Sequence, residues 1–246
     1  MPRIGVRKLH YLLQSDLKEI HVGRDKLFAV LKANNMLIKP KRNYRITTDS
    51  HHRFRKHKNL IKDIAVDHPE QVWASDITYI GGRDNNCYLA LVTDAYSKKI
   101  MGYDVSNSLA TEGSLRAFNM AVKQRMYQYK LIHHSDRGLQ YCSNEYQKAL
   151  RKKKIIPSMT ENYDPYANAI AERVNGILKQ EFLLEEYRVN MQTMKLLVKD
   201  AIRIYNTKRP HYSCFMKTPE QMHQQKQVKI RTYKKSDSSK ASLATI

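Results

Sequence analysis

Three acidic residues stand where an acid is costly. Asp76 interrupts WASDITYI, a run otherwise built from residues that favour strands. Asp136 follows KLIHHS, two residues before Gly138, and Glu172 lies inside NAIAERVNGILKQEF, which reads as a helix. A carboxylate on a core strand is expensive unless it is paired, hydrogen-bonded or bound to a cation. Three carboxylates that converge repel one another and stay ionised only where cations share the site. Ligands that are all hard oxygens, with no Cys and no His required, select Mg²⁺ or Mn²⁺. Two such ions a few ångströms apart polarise a phosphodiester together with its attacking and leaving oxygens. The chemistry these residues suggest is phosphoryl transfer. Any one of the acids is equally well a turn or surface residue, so the case rests on the triplet and its setting.

The neighbours of Glu172 supply part of that setting. Asn168, Glu172, Asn175 and Lys179 fall at i−4, i, i+3 and i+7, one narrow face at about 100° per residue. Ile170, Val174 and Ile177 lie opposite. The spacing predicts a helix that lays its apolar side on a sheet and presents an acid, two amides and a base. On the strand of Asp76, alternation puts Val72, Ala74, Asp76 and Thr78 on one face.

The elements that must hold these residues are legible in outline. QVWASDITYI, CYLALVTDAYS and KKIMGYDVS read as three strands at hairpin spacing. EGSLRAFNMAVKQR reads as a helix, with Leu115, Phe118, Met120 and Val122 as its apolar residues, and KLIHH as a further strand. NEYQKALRKKKI is helical, IPSMT extended, and residues 190–207 form a long helix with Met194, Leu197, Val198, Ala201 and Tyr205 on one stripe. Three strands followed by alternating helix and strand predict an α/β fold, a mixed sheet flanked by helices.

Charge points to the partner. Forty-four Lys and Arg oppose twenty-three Asp and Glu, a net charge of +21, which draws a protein to polyanions and above all to nucleic acid. About half of the excess lies in residues 1–60, where fifteen basic residues meet only Asp16, Glu19, Asp25 and Asp49. Val6, Leu9, Leu12 and Leu13, then Leu27, Val30, Leu31 and Leu37, recur at helical spacing there. The expectation is two short helices in a helix-turn-helix-like unit, with Arg7, Lys8, Arg24 and Lys26 toward DNA; a helical hairpin with no DNA role is the alternative. KPKRNYRITTDSHHRFRKHKNLIK carries nine basic residues and one acid without apolar period, a linker that tracks phosphate. No apolar run approaches the ~20 residues that span a bilayer, and Cys87, Cys142 and Cys214 form no CxxC pair. A cytosolic protein without a disulfide framework or four-ligand zinc site is expected.

Taken together, WASDITYI, HHSDRGLQYCS, DPYANAIAERVNGILKQEF and YNTKRPHYS resemble the transposases of bacterial insertion sequences whose catalytic frame carries a retroviral-integrase-type core. The resemblance runs from about residue 66 to 222 and extends to the basic N-terminal helices. That family's pattern is Asp, Asp, then Glu after thirty-five intervening residues, the separation found between Asp136 and Glu172. Lys179 matches its basic position seven residues beyond the Glu. The resemblance implies a ribonuclease H-like fold with Asp76, Asp136 and Glu172 as catalytic metal-binding acids, two Mg²⁺ or Mn²⁺ ions as cofactors, and DNA as the partner. It implies cleavage at transposon ends, then transfer of the freed 3′-hydroxyl to a second phosphodiester. It also implies a homo-oligomer on DNA, an upstream-frame helix-turn-helix protein as a second partner, no membrane, and a place in the bacterial cytoplasm at the nucleoid. The chain begins near GVRKL, where many relatives continue upstream, so a longer active form or a shortened copy both fit. No Cys precedes Cys87, so the His/Cys zinc module of retroviral integrases is not expected in residues 1–86.

The expected organisation is a helix-turn-helix-like basic segment (1–38), a basic linker (39–65), the catalytic core (66–183), a helical extension (184–225) and a basic, disordered tail (226–246). His133 and His134 are expected as structural residues, Trp73 as core, Gly138 as a tight turn and Gln140 near the site. Pro210 ends the long helix, and Arg209 is a phosphate candidate, with a packing role for YNTKRPHYS equally open. Two other functions stay open: a ribonuclease H-type nuclease drawing an acid from Glu112, and a catalytically silent DNA-binding protein derived from a mobile element.

Overall fold

The computed structural model describes residues 1–38, 54–82, 87–161 and 169–225. Helices α1 (Val6–Leu12), α2 (Gln14–Glu19) and α3 (Arg24–Ala33) come first. Two helical patterns in the sequence thus become three helices, because the backbone leaves helical geometry at Leu13 (φ −99°, ψ 15°). That break turns Leu17 inward onto Leu27 and Leu31 and leaves Leu12 and Val30 exposed, contrary to the sequence stripe.

The sheet follows. Strands β1 (Val72–Ile80), β2 (Cys87–Asp94) and β3 (Ile100–Ser106) form an antiparallel meander. Helix α4 (Thr111–Lys123) then crosses to β4 (Ile132–Ser135), which pairs parallel to β1. Short helices α5 (Leu139–Cys142) and α6 (Asn144–Lys152) lead to β5 (Ile156–Met159), parallel to β4. The sheet order is β3-β2-β1-β4-β5. Helices α7 (Ala169–Gln180), α8 (Met191–Thr207) and α9 (Pro219–His223) complete the chain.

Each sheet face buries its own core. Trp73, Ile77 and Val92 pack with Phe118 of α4 and Tyr146 of α6 on one side. Ile80, Leu89 and Leu91 pack with Val174 and Leu178 of α7 and Val198 and Tyr205 of α8 on the other. A fully buried side chain of this size contributes about 1.5–3 kcal/mol, so the two layers account for the sandwich. Gly102 is what admits α4: a Cβ there would stand 2.0 Å from the Ala117 carbonyl oxygen. The second half of α8 shares its core with α7, so the expected extension is packed into the same body.

Both flanks of the sheet are tied down. The Arg3 N–H donates to the Glu181 carbonyl (3.1 Å), and the Lys8 ammonium reaches the Glu181 carboxylate at 2.5 Å. At the β5 edge, the Met159 N–H donates to the Lys58 carbonyl (3.3 Å) and the Leu60 N–H to Ser158 Oγ (2.9 Å). The end of the basic linker therefore lies against β5. Residues 39–53 of that linker and the expected tail, 226–246, fall outside the described residues. Among the described residues no helix is long and apolar enough to cross a membrane.

Candidate active site

Strand register brings the first two acids together. In the parallel β1/β4 ladder Ser75 pairs with Ser135, so Asp76 and Asp136 follow at the same level on neighbouring strands. Adjacent strands lie about 4.8 Å apart, and same-level residues of a parallel pair face the same way. The register is locked from behind by a buried polar contact: His133 Nε2 lies 2.8 Å from Ser75 Oγ and 2.9 Å from the Tyr146 hydroxyl. Burial, with the neighbouring His134, pushes the His133 pKa down to about 3, so the ring is neutral. His134 Nδ1 lies 2.9 Å from Ser158 Oγ. Both histidines serve the scaffold.

Asp76 is half-buried on the face that α7 covers. Burial first, then the charge of Asp136 and more weakly that of Glu172, push its carboxyl up to about 8. The Ile77 N–H (2.9 Å) and the Asn175 side-chain amide (2.7 Å) hold its two oxygens in place and pull the other way. Asp136 accepts a hydrogen bond from the Gly138 N–H at 3.0 Å. Gly138 itself has an ordinary extended backbone (φ −62°, ψ 146°), so it does not supply the tight turn expected of it. Its requirement is space: a Cβ would lie 3.0 Å from Asp136 Oδ1 and 3.1 Å from Gln140 Oε1.

Glu172 stands in the first turn of α7, where the helix dipole favours an anion. It is exposed, and partial desolvation raises its carboxyl above the usual range. Its charge is felt at Asp76. Tyr141 is a site residue that the sequence reading passed over. Its buried phenol lies in the field of both Asp76 and Asp136, and burial first, then Tyr146 and these acids, hold its proton far above the usual range. Its position inside HHSDRGLQYCS was the available signal.

The remaining expected residues divide into three groups. Arg7, Arg24 and Lys26 are exposed on α1 and α3, with Arg24 bonded to Asp25 at 2.9 Å. Lys179 is half-buried farther along α7, and Asn168 lies outside the described residues. Asn175, Lys8 and Arg209 are turned to partners within the chain. Asn175 is buried because α7 rotates it toward β1, where it binds Asp76. Arg209 is 1% exposed, its guanidinium held by both Glu181 oxygens at 2.8 Å, so no donor faces a phosphate. Ile170 also leaves the expected stripe and packs near Val72 and Ile132.

Among the described residues, no three His, Cys or acidic side chains are closed into a metal-binding group. The donor chemistry nevertheless fits hard divalent cations. Asp76, Asp136 and Glu172 offer only oxygen, their like charges act on Asp76, and the buried Asn175 Oδ1 finds no hydrogen-bond partner.

A family model of the integrase core domain matches residues 66–165, and a second with the same description matches residues 153–219. An uncharacterized 31 kDa protein of insertion element IS600 from Shigella sonnei is 35% identical over 204 residues, 81% of this chain and 75% of that protein. The transposase InsF of insertion sequence IS3fB from Escherichia coli K12 is 31% identical over 199 residues, 80% of this chain and 69% of that one. Among solved structures, the HTLV-2 integrase catalytic core domain in complex with magnesium (trimeric form) superposes with TM-score 0.51 at 20% identity, over 63% of this chain and 97% of that one. A simian T-cell lymphotropic virus intasome, in complex with PP2A regulatory subunit B56 gamma, gives TM-score 0.56 at 18% identity, over 94% and 78%. These two likenesses show the fold.

Proposed function

The chain belongs to the insertion-sequence transposases that carry an integrase core domain, and from that premise we propose that it cuts DNA at transposon ends and joins the freed 3′-hydroxyl to a second phosphodiester. Asp76, Asp136 and Glu172 are the catalytic acids and the ligands of Mg²⁺ or Mn²⁺, two ions in the expected stoichiometry. The observation that carries the reading is the β1/β4 register, which sets Asp76 beside Asp136 while α7 brings Asn175 and the charge of Glu172 to bear on Asp76. Divalent cations bound there would polarise the phosphodiester and stabilise charge on its attacking and leaving oxygens.

The chain's own groups orient the acids. Asn175 and the Ile77 N–H fix Asp76, and the Gly138 N–H fixes Asp136. Lys179 and the exposed cations of α1 and α3 would engage phosphates, and a homo-oligomer on DNA with an upstream-frame helix-turn-helix partner belongs to the same reading. The domain boundaries given from the sequence are part of it too. Glu112, the acid a ribonuclease H arrangement would need, is exposed and acts on Arg116, whereas the acids acting on Asp76 are Asp136 and Glu172. This favours the integrase arrangement.

The test gives each of Asp76→Asn, Asp136→Asn and Glu172→Gln an uncut end and a pre-cleaved end carrying a free 3′-hydroxyl, with Mg²⁺. Losing interactions worth several kcal/mol in the transition state should remove both end cleavage and joining, while DNA binding persists. Joining of the pre-cleaved end by Asp136→Asn at the wild-type rate would end the case for a shared site.

A further inference from the structure

An open cavity of about 330 Å³ lies beside the Asp136 end of the site, lined by Lys56, His57, Lys58, Arg137 and Glu161. Its outer wall is chain that β5 holds in place. The Met159 N–H binds the Lys58 carbonyl, the Leu60 N–H binds Ser158 Oγ, and the Asn59 N–H binds Glu161 Oε1 at 2.9 Å. The one acid in the lining is thus engaged in fixing the wall. The lining also carries Lys56, Lys58 and Arg137, and the charges of Arg55 and Arg151 press on His57. Residues 151–154, at and just beyond the end of α6, are all basic and exposed, and the first of them, Arg151, is the one that acts on His57. The fields of Lys56 and Arg137 reach the Cys142 thiol together with that of Asp136, which sets the groove next to the carboxylates.

The lining decides the class of ligand. Small-molecule sites are mostly apolar and enclosed, and this one is charged and open. Convergent cations fixed by backbone contacts suit a repeating polyanion. Lys179 stands on a different element from the groove. Helix α7 covers β1 and β2, whereas the groove is at β5, beyond β4.

We propose that this groove holds the sugar-phosphate backbone of a DNA strand as it leaves the carboxylate site on its β5 side. The proposal rests on the transposase reading for what the neighbouring site does. The strand is either the flank of the element's own end or the target DNA, and both present the same phosphodiester chemistry.

The experiment uses the full chain with Lys56→Gln/Lys58→Gln, with Arg137→Gln separately, and with Lys123→Gln/Lys199→Gln as a control pair of equal charge on exposed positions of α4 and α8. Affinity for a random-sequence duplex is measured against salt in the presence of chelator. Losing two phosphate contacts should make the log–log slope shallower by about 2 for the double variant, and by about 1 for Arg137→Gln. The control pair should stay within about 0.5 of wild type. Two further arms locate the strand. Weaker binding of a terminal-repeat duplex assigns the groove to the element's flank, and weaker joining of a pre-cleaved end into plasmid assigns it to the target. Slopes and joining equal to those of the control pair, with unchanged melting temperature, would overturn the proposal. Because the salt titration requires no cleavage, it stands apart from the three-acid reading: active Asp136→Asn sinks that reading and leaves the groove to its own test.

Discussion

Asp76 and Asp94 sit on neighbouring strands, three residues apart in the β1/β2 register, and their protons are driven in opposite directions. At Asp94 burial alone would raise the pKa. His223 and the amide and hydroxyl of Ser97 outweigh it and hold the carboxyl below the usual range. The Glu70 N–H adds a bond at 2.7 Å, and Glu70 in turn accepts from the Met126 and Tyr127 N–H groups. Every charge at that end has a protein partner. At Asp76 burial is joined by like charge from Asp136 and Glu172, and two hydrogen bonds do not offset it. A buried carboxylate satisfied within the chain secures the fold, and one left in a field of like charge is poised for something the chain does not contain.

Breaking each end should give opposite results. Asp94→Ala strands a buried His223 ring and the N–H groups of Glu70 and Ser97, and should cost about 3–5 kcal/mol in denaturant unfolding. Asp76→Asn removes a group whose ionised form is disfavoured by burial and repelled by Asp136 and Glu172, and should leave the fold as stable or more stable, the gain growing as pH rises toward 8. The pH dependence supplies the sign. The Asp76 carboxyl is raised from 3.8 unfolded to about 8 folded, so between these values the folded chain binds the extra proton and stability falls as pH rises. In the absence of divalent cations, wild type should therefore lose stability from pH 4 toward 8 relative to Asp76→Asn. Asp94, shifted down, contributes stability that is present above 3.8 and lost only as pH falls through its folded value. Parallel pH curves for wild type and Asp76→Asn would show that the two ends do not differ as described.

A third cluster sharpens the comparison with a smaller effect. Glu181 lies two residues beyond Lys179 and is shared by Lys8 and Arg209, which hold its carboxyl low against burial. Glu181→Gln keeps the size and one acceptor and leaves the buried Arg209 guanidinium without its counter-charge. Partial exposure of Lys8 moderates the loss, so roughly 1–3 kcal/mol is expected. Residues 1–38 should also become more sensitive to protease, since Lys8 docks them there. Unchanged stability and protection would show the cluster to be incidental.

What the sequence disclosed follows from the range of the interactions involved. The strands from QVWASDITYI to KKIMGYDVS, and the helices 144–152 and 191–207, were legible because alternation and 3.6-residue periods are local. The thirty-five-residue separation and the two strand ends pointed to the three acids, which the register then brings side by side or within reach of one another's charge. The partners of Lys8, Arg209 and Glu70 lie 173, 28 and 24 residues away, and nothing local in their segments specifies them. An arginine beside a proline reads as a phosphate ligand because nothing local signals the half-buried Glu181 that holds Arg209. Helix α9 is different. TPEQ contains a capping box, Thr218 with Gln221, and Pro at its first turn, so that signal was local and was overlooked.

The smallest expected change in stability is at Gly138, and it isolates geometry from charge. The backbone there is one that alanine adopts freely, so Gly138→Ala gains about 0.4–1 kcal/mol by restricting the unfolded chain. Against that gain stands a Cβ placed 3.0 Å from Asp136 Oδ1 and 3.1 Å from Gln140 Oε1, close enough that one or both must yield by a few tenths of an ångström. The two effects nearly cancel, and the net change in unfolding free energy should lie within about 1 kcal/mol of zero. Gly102→Ala is the contrasting control, because its Cβ would meet the backbone oxygen of Ala117 at 2.0 Å and force α4 off the sheet. Cleavage responds differently from stability. The Asp136 carboxylate is oriented by the Gly138 N–H, and displacing it by part of an ångström should cost about tenfold in rate, where a full ångström costs about a hundredfold. A Gly138→Ala protein as stable and as active as wild type would mean that Asp136 tolerates displacement and that the space beside it is not required for catalysis.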